Sequence, residues 1–358
     1  MPISAAILSR LLVTTLLLAL GGCSSAPARL HLGVGDDPTL SRLMWPPGPE
    51  IPRYQFAGQL TGEQNFVRDD AGDGALTRFF RWLVGLGQDR PRTLQRPQGV
   101  AVDAAGRILV SDVSRAAVFA FDGVAGELRI LDYAAGQSRF IAPIGIATDD
   151  DDTFWVADAE LGIVAHLKPD GTALAPIGKG LLERPTGVAL DHRSGLIYVA
   201  DTHRHVIEEF SRDGNRLRTL GRRGHDAAGF NYPTHLAIRG EELYVTDTLN
   251  SRVQILRISS GDIVRSVGRR GLYTGNLVRP KGVATDADGN IYVIESLYDN
   301  LLIFNDNGEF LMPIGGVGHE IGQFYLPSGV AVDDLGRVFV ADTFNGRVAI
   351  FQYLGNNQ

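Results

Sequence analysis

The sequence predicts an all-β protein folded as a six-bladed β-propeller, and three observations predict it. One phrase recurs six times, opening at Pro97, Pro143, Pro185, Pro233, Pro280 and Pro327, in steps of 46, 42, 48, 47 and 47 residues. A period in the forties with three or four short strands per unit marks a propeller blade. Each copy carries β-branched and aromatic runs of strand length, such as Leu196-Ile197-Tyr198-Val199-Ala200. Asp-x-x-Gly links, as in Asp103-Ala104-Ala105-Gly106, supply tight hairpins, because Asp bonds its local backbone and Gly accepts positive φ.

Composition narrows the function classes. The chain has 358 residues, 44% hydrophobic and 21% charged, which excludes disordered and fibrous classes. A formal charge of −7 argues against bulk nucleic-acid binding. A single cysteine excludes an intrachain disulfide framework and any multi-cysteine metal site.

Residues 1–22 read as a secretory signal: Arg10, an apolar run of ten residues at 11–20, then Gly21-Gly22. That run is too short to span a bilayer, which needs about twenty residues. Leu20-Gly21-Gly22-Cys23 resembles a bacterial lipobox, which implies lipidation of Cys23 and a membrane anchor. Ser24 after the cysteine implies sorting to the outer membrane, facing the periplasm. Residues 23–52, with Trp45-Pro46-Pro47-Gly48-Pro49, read as a mostly extended tether.

The propeller is expected over residues 53–352, with 353–358 as a tail. The last blade lacks a fourth strand, since the residues after Phe351 do not repeat the pattern. Residues 53–60 form a strand without a partner at the other end of the chain, and pairing them with 347–351 closes the ring. An open ring would leave raw sheet edges and bare apolar faces. Residues 73–87 break the pattern. Leu76, Phe79, Phe80, Leu83 and Val84 recur at helical spacing after Asp73, a candidate N-cap. This amphipathic helix either packs on the propeller or turns its apolar stripe, with Arg78, Arg81 and Trp82 beside it, to a membrane or partner.

The repeats resemble the NHL family of six-bladed propellers. The resemblance covers about residues 95–352, and Val199-Ala200-Asp201-Thr202-His203-Arg204-His205-Val206, 245–253 and 340–348 carry it best. Blade two replaces its turn glycine with Asp150-Asp151-Asp152. Blade four has His235 for glycine. Blade five reads Ile294-Glu295-Ser296 where others read Ala-Asp-Thr. The fold by itself does not fix an activity.

Candidate chemistry lies in the loops. The amidating lyases resemble this chain in their repeats and place zinc-binding histidines directly after the blade proline. Here those positions hold Gln98, Ile144, Thr186, Thr234, Lys281 and Ser328, and His235 stands one place later. His235, His203 and His205 are therefore the catalytic candidates of an enzyme reading. Asp112, Asp158, Asp201, Asp247, Glu295 and Asp342 form a recurrent set of acids. Their expected duty is to accept backbone and Arg hydrogen bonds, with Arg115, Arg204, Arg252 and Arg347 nearby. Bases cluster ahead of the blades: Arg222, Arg223 and His225, then Arg269 and Arg270, then Arg279 and Lys281. Together with Arg204 and Arg252 they make a candidate binding rim for an anionic partner.

Three function classes follow. The first is a lipid-anchored scaffold that presents one rim to a protein, peptide or envelope polymer. The second is an envelope lyase or hydrolase acting at the channel mouth. The third is a subunit or assembly factor of a periplasmic complex. No metal site and no cofactor is predicted, with zinc and calcium left open, and no nucleic-acid partner is expected.

Overall fold

The computed structural model describes residues 28–33, 43–67 and 91–355. The signal segment, Cys23 and the helix expected at 73–87 lie outside the described residues.

Six antiparallel sheets form the blades. Blade one runs Pro97–Val102, Ile108–Asp112, Ala117–Asp122 and Glu127–Leu131, each strand hydrogen-bonded to the next. Blades three, four and five repeat this four-strand order. Blade two has three strands, Pro143–Thr148, Phe154–Asp158 and Ile163–Leu167. Its outer edge is closed only by single bridges, Val164 with Ile177 and Leu167 with Ala173. The six-residue shortfall of this repeat, a step of 42 against 48 for the next, matches the lost strand.

The ring closes as the sequence predicts. Tyr54–Leu60 pairs antiparallel with Arg347–Tyr353, from Tyr54 opposite Tyr353 to Leu60 opposite Val348. Two expectations are corrected. The tether expected at 23–52 is docked at two short segments, while Pro47–Ile51 is exposed. Arg29–Leu30 pairs with Phe66–Val67, and Met44–Trp45 adds a fifth strand to blade six beside Tyr54–Gln55. Two-residue strands carry no periodic signal, but Trp45 packs edge-on at 5.3 Å from Phe351 and supplies apolar contact. The tail expected from 353 begins later, because Tyr353 is still paired with Tyr54.

The apolar core is divided into six clusters, one between each pair of neighbouring blades. Side chains alternate across a strand, so each sheet feeds both neighbours. In blade six Phe339 packs with Val110 and Phe119 of blade one, whereas Val338 and Val340 pack with Tyr292 and Ile294 of blade five. Strands buried on both faces read as continuous apolar runs, which is why the repeats show little polar alternation.

The recurrent acid–hydroxyl pair is structural. Each acid ends the second strand of its blade and caps the backbone of the segment leading into that blade. Asp201 accepts from the amides of Glu183 and Arg184 at 2.9 Å, and Asp112 from Gln95 and Arg96. Asp158, Asp247 and Asp342 do the same, and Glu295 serves Val278 and Arg279 with its longer side chain. The threonine that follows staples one blade to the next: Thr202 donates to Pro233 O at 2.7 Å and Thr248 to Pro280 O at 2.9 Å.

Candidate functional site

Strand direction puts two kinds of loop on one face. Connections from second to third strands, and from one blade to the next, open together on what we call the loop face. The Asp-x-x-Gly hairpins open on the other face.

The loop face is apolar and basic. Leu272 and Tyr273 are 82% and 84% exposed and Val317 is 70% exposed, all in connections between blades. Leu249, Leu297 and Phe344 stand exposed in the loops between second and third strands. Arg96, Arg223, Arg269, Arg270 and Arg279 are exposed there and have no carboxylate partner among the described residues. The Arg96 guanidinium lies 4.7 Å above the Phe344 ring. The hairpin face instead collects acids, with Asp150, Asp151, Asp152, Asp170, Asp213, Asp288 and Asp334 in its turns. A net-negative chain thus carries a face of unpaired positive charge.

The structure sorts the expected rim residues. Arg223, Arg269 and Arg270 are exposed as expected. Arg222 is exposed and paired with Asp226. His225 holds Asn250 at 2.9 Å, and His319 holds Asn345 in the same way in blade six, so this histidine organises a loop. Arg252 is corrected. It donates to Asp247 at 2.9 Å and to the carbonyls of Asp226 and Gly229, so its charge is spent inside the blade. Arg204 is likewise engaged, with Leu181 O and Glu208. Lys281 is partly buried.

The central channel is a cavity of about 400 Å³ whose wall is aliphatic, with Val100, Val188, Leu190, Leu236, Val283 and Val330 among its residues. It opens at the hairpin face beside Asp191, His192 and Arg193. Toward the loop face the blades crowd together. A Cβ on Gly99, Gly145, Gly187, Gly282 or Gly329 would stand 2.2–2.5 Å from a carbonyl oxygen of the next blade. Blade four alone has a side chain at this level, His235. Both of its ring nitrogens are sealed from solvent and have no hydrogen-bond partner. Burial, with Lys281 adding in the same direction, holds this imidazole down to about 3.

The other candidate histidines have different surroundings. His205 is buried with φ 60°, accepts the Tyr232 amide at 3.2 Å and packs edge-on against the Tyr232 ring at 4.5 Å. Burial lowers its pKa. His203 is exposed and lies 6.2 Å from the same ring. Among the described residues, the three groups close enough to share a metal ion are Asp149, Asp150 and His192, on the hairpin face. Asp149 is already committed, to Arg212 at 2.6 Å and to Trp155 Nε1 at 3.2 Å. A second cavity, about 650 Å³, lies between the closing strand and blade five, lined by Arg53, Tyr54, Asp288, Asn290, Met312 and Tyr353.

Sequence reasoning missed Arg96, Leu272 and Tyr273. Arg96 carried a usable signal, since it precedes a blade proline as Arg279 does. The two apolar residues carried none, because a lone Leu-Tyr pair reads equally well as a strand end.

Fold and site define a closed six-bladed propeller with an aliphatic channel and an apolar-basic loop face. The chain carries NHL repeats: that family matches at residues 94–121, 182–210 and 324–351, the inner three strands of blades one, three and six. The protein brain tumor of Drosophila melanogaster is 29% identical over 133 residues, 36% of this chain and 12% of that protein. The peptidyl-glycine alpha-amidating monooxygenase of Mus musculus is 26% identical over 152 residues, 37% of this chain and 15% of that protein. The chain thus spans less than a fifth of the length of these curated relatives. Among solved structures, a gluconolactonase from Xanthomonas campestris superposes with a TM-score of 0.57 at 17% identity, covering 73% of this chain and 86% of that one. A virginiamycin B lyase from Staphylococcus aureus gives 0.54 at 13%, covering 73% and 96%. These likenesses establish the fold alone.

Proposed function

We propose that this chain is a binding propeller, anchored in the bacterial envelope through Cys23, whose loop face captures a protein or peptide carrying acidic and apolar side chains. One observation carries the reading: exposed Leu272 and Tyr273 share a face with Arg223, Arg269, Arg270 and Arg279, none of which has an acid to neutralise it among the described residues. Apolar contact gives such a surface affinity, and charge gives it rate and selectivity. The lipobox-like Leu20-Gly21-Gly22-Cys23 supports the anchor and, with Ser24, an outer-membrane position facing the periplasm.

Crosslinked capture from membranes tests this. A variant with Arg222, Arg223, Arg269 and Arg270 all changed to Glu should lose the wild-type partner while melting normally. Equal capture by both proteins overturns the reading. Capture of a polysaccharide in place of protein shifts the partner to an envelope polymer.

A second reading, an enzyme at the channel mouth, is favoured by one observation, the unpartnered ring of His235.

A further inference from the structure

Blades one and three carry the same loop device with different endings. Arg115 and Arg204 each stand three residues after the acid that closes the second strand, Asp112 and Asp201. Each donates to a carbonyl of the segment entering its blade, Arg115 Nε to Thr93 O and Arg204 Nη1 to Leu181 O, both at 2.9 Å. In blade three the buried Glu208, four residues further on, neutralises the arginine. Its carboxylate meets Arg204 at 2.8 Å and accepts from Thr219 Oγ1 at 2.6 Å. In blade one that position is Phe119, and its cross-strand neighbour is Ile130 in place of Thr219. Among the described residues the Arg115 side chain bonds only to Thr93, so its charge has no acid.

Space is present beside that charge. A cavity of about 270 Å³ lies on the loop face of blade one, with Phe119, Ile130 and Phe140 as its apolar wall. Arg92, Arg115 and Arg139 line it against a single acid, Asp132, which is paired with Arg139. Arg92 is exposed and its side chain has no partner among the described residues. Ala116, the positive-φ residue of the loop at 48°, also lines the cavity. In blades three, four and five the residue at this position crosses to the segment entering the next blade. His205 accepts the Tyr232 amide at 3.2 Å, Ser251 donates to Val278 O at 3.0 Å and Asp299 accepts the Leu326 amide at 2.5 Å. In blades two and six it is Gly162 or Gly346, and the incoming carbonyl stands 3.1 Å from where a Cβ would be. A methyl group cannot bridge in this way, and blade one keeps the space.

The lining selects the ligand. Two guanidinium groups in excess repel a metal cation and attract an anion. The apolar wall gives nothing to a bare inorganic ion and favours one that carries an apolar body. A cavity of roughly 150 Å³ admits benzene, so this one has room for a ring and a carboxylate. We propose that the loop face of blade one is a binding site for an organic acid. The carboxylate takes on Arg115 the part that Glu208 takes on Arg204, with Arg92 beside it, and the apolar body lies against Phe119, Ile130 and Phe140. The site is independent of the docking rim, because none of Arg222, Arg223, Arg269 or Arg270 lines it.

Nuclear magnetic resonance of the whole chain, followed at the backbone amides of Ala116 and Ala117, tests this. Phenylacetate, its uncharged amide, and a peptide ending in a free phenylalanine carboxylate are titrated separately. The two signals should move and saturate with at least one of the acids and stay still with phenylacetamide. Saturation by phenylacetate identifies a small free acid, and saturation by the peptide alone a chain terminus. Arg115→Gln should weaken that binding by about 10- to 100-fold, the worth of a charge-assisted hydrogen bond. Ala116→His, which copies blade three, should fill the cavity and abolish binding. The variant with four rim arginines reversed should still bind the acid, so this site and the docking rim fail separately. Signals that saturate with neither acid overturn the proposal, as do equal binding of phenylacetamide and unchanged affinity in Arg115→Gln or Ala116→His. The wild-type comparison of acid with amide keeps the test decisive if a variant fails to fold.

Discussion

The hydroxyl of Thr343 in the last blade donates to the carbonyl oxygen of Pro97 in the first, at 2.8 Å and out of solvent. The same staple joins blades three to four and four to five, so the seam between the chain's two ends is built like an ordinary junction. The Tyr54–Leu60 pairing completes blade six, and the Thr343 bond ties that blade to blade one. Substituting Thr343→Val leaves the Pro97 carbonyl buried without a donor, at a cost of about 1–3 kcal/mol. Urea unfolding should show a lower midpoint with an unchanged slope. Deleting residues 50–60 should instead destroy the single cooperative transition, because it bares the Arg347–Tyr353 edge. Unchanged thermal stability of that deletion would contradict closure by this strand.

Arg347 ties the last blade to the segment that enters it and reaches Gln59 of the closing strand at 3.3 Å. It is buried and donates to Asp342 at 2.9 Å and to the carbonyls of Glu320 and Gln323 at 2.8 Å. Burial raises the Asp342 pKa and Arg347 opposes that shift. Arg347→Ala should cost about 3–5 kcal/mol, since it strands a buried carboxylate. The double variant with Asp342→Asn should recover part of the loss. A double-mutant cycle with no coupling would place the role of Arg347 in its carbonyl contacts alone.

His235 gives a pH signature. Its native pKa is depressed to about 3, while the unfolded chain titrates near the ordinary imidazole value of about 6.5. Between those values the unfolded state binds the extra proton. The stabilisation is therefore complete above about pH 6.5 and is lost as pH falls, by ~1.4 kcal/mol per unit. Other groups titrate in this window, so the quantity to measure is the difference between wild type and His235→Gly. That difference should move in favour of the variant from pH 7 down to pH 4. A flat difference would mean that the ring reaches solvent.

Leu272 and Tyr273 separate binding from stability. Both are more than four-fifths exposed. Substituting Leu272→Ser and Tyr273→Ser should leave the unfolding free energy within about 0.5 kcal/mol of wild type. Crosslinked partner yield should fall together with that of the reversed-charge variant. Full yield would confine docking to the charged residues.

Much of the fold was legible because the repeat spells out backbone duties. The acid that ends each second strand must reach one or two amides of the segment entering its blade, the threonine that follows it in blades three, four and six must reach a carbonyl of the next blade, and the inner glycine of five blades must let backbones touch. Each duty favours one residue type at one offset, so the copies align without any structure even where single positions depart from it. Closure was legible too, from an unpaired strand at one end and a missing one at the other. The docked pieces at 28–33 and 43–46 were not, since their strand pairings are only two residues long and leave no periodic signal.

The candidate site divides in the same way. Arg223, Arg269 and Arg270 were readable as a basic cluster on one rim. Arg252 belonged to the same pattern, yet its guanidinium is turned inward to Asp247, and no spacing could tell the two fates apart.

The sequence by itself determined the number of blades, the strand that zips the ring and the face on which the loops gather, because these follow from residues that act on their own backbone or at a fixed repeat distance. Only the tertiary structure decided which charges are left unpaired and that Lys281 comes close enough to His235 to oppose its protonation. Those facts depend on where two neighbouring blades bring side chains from 46 residues apart, and on how much water the junction between them excludes.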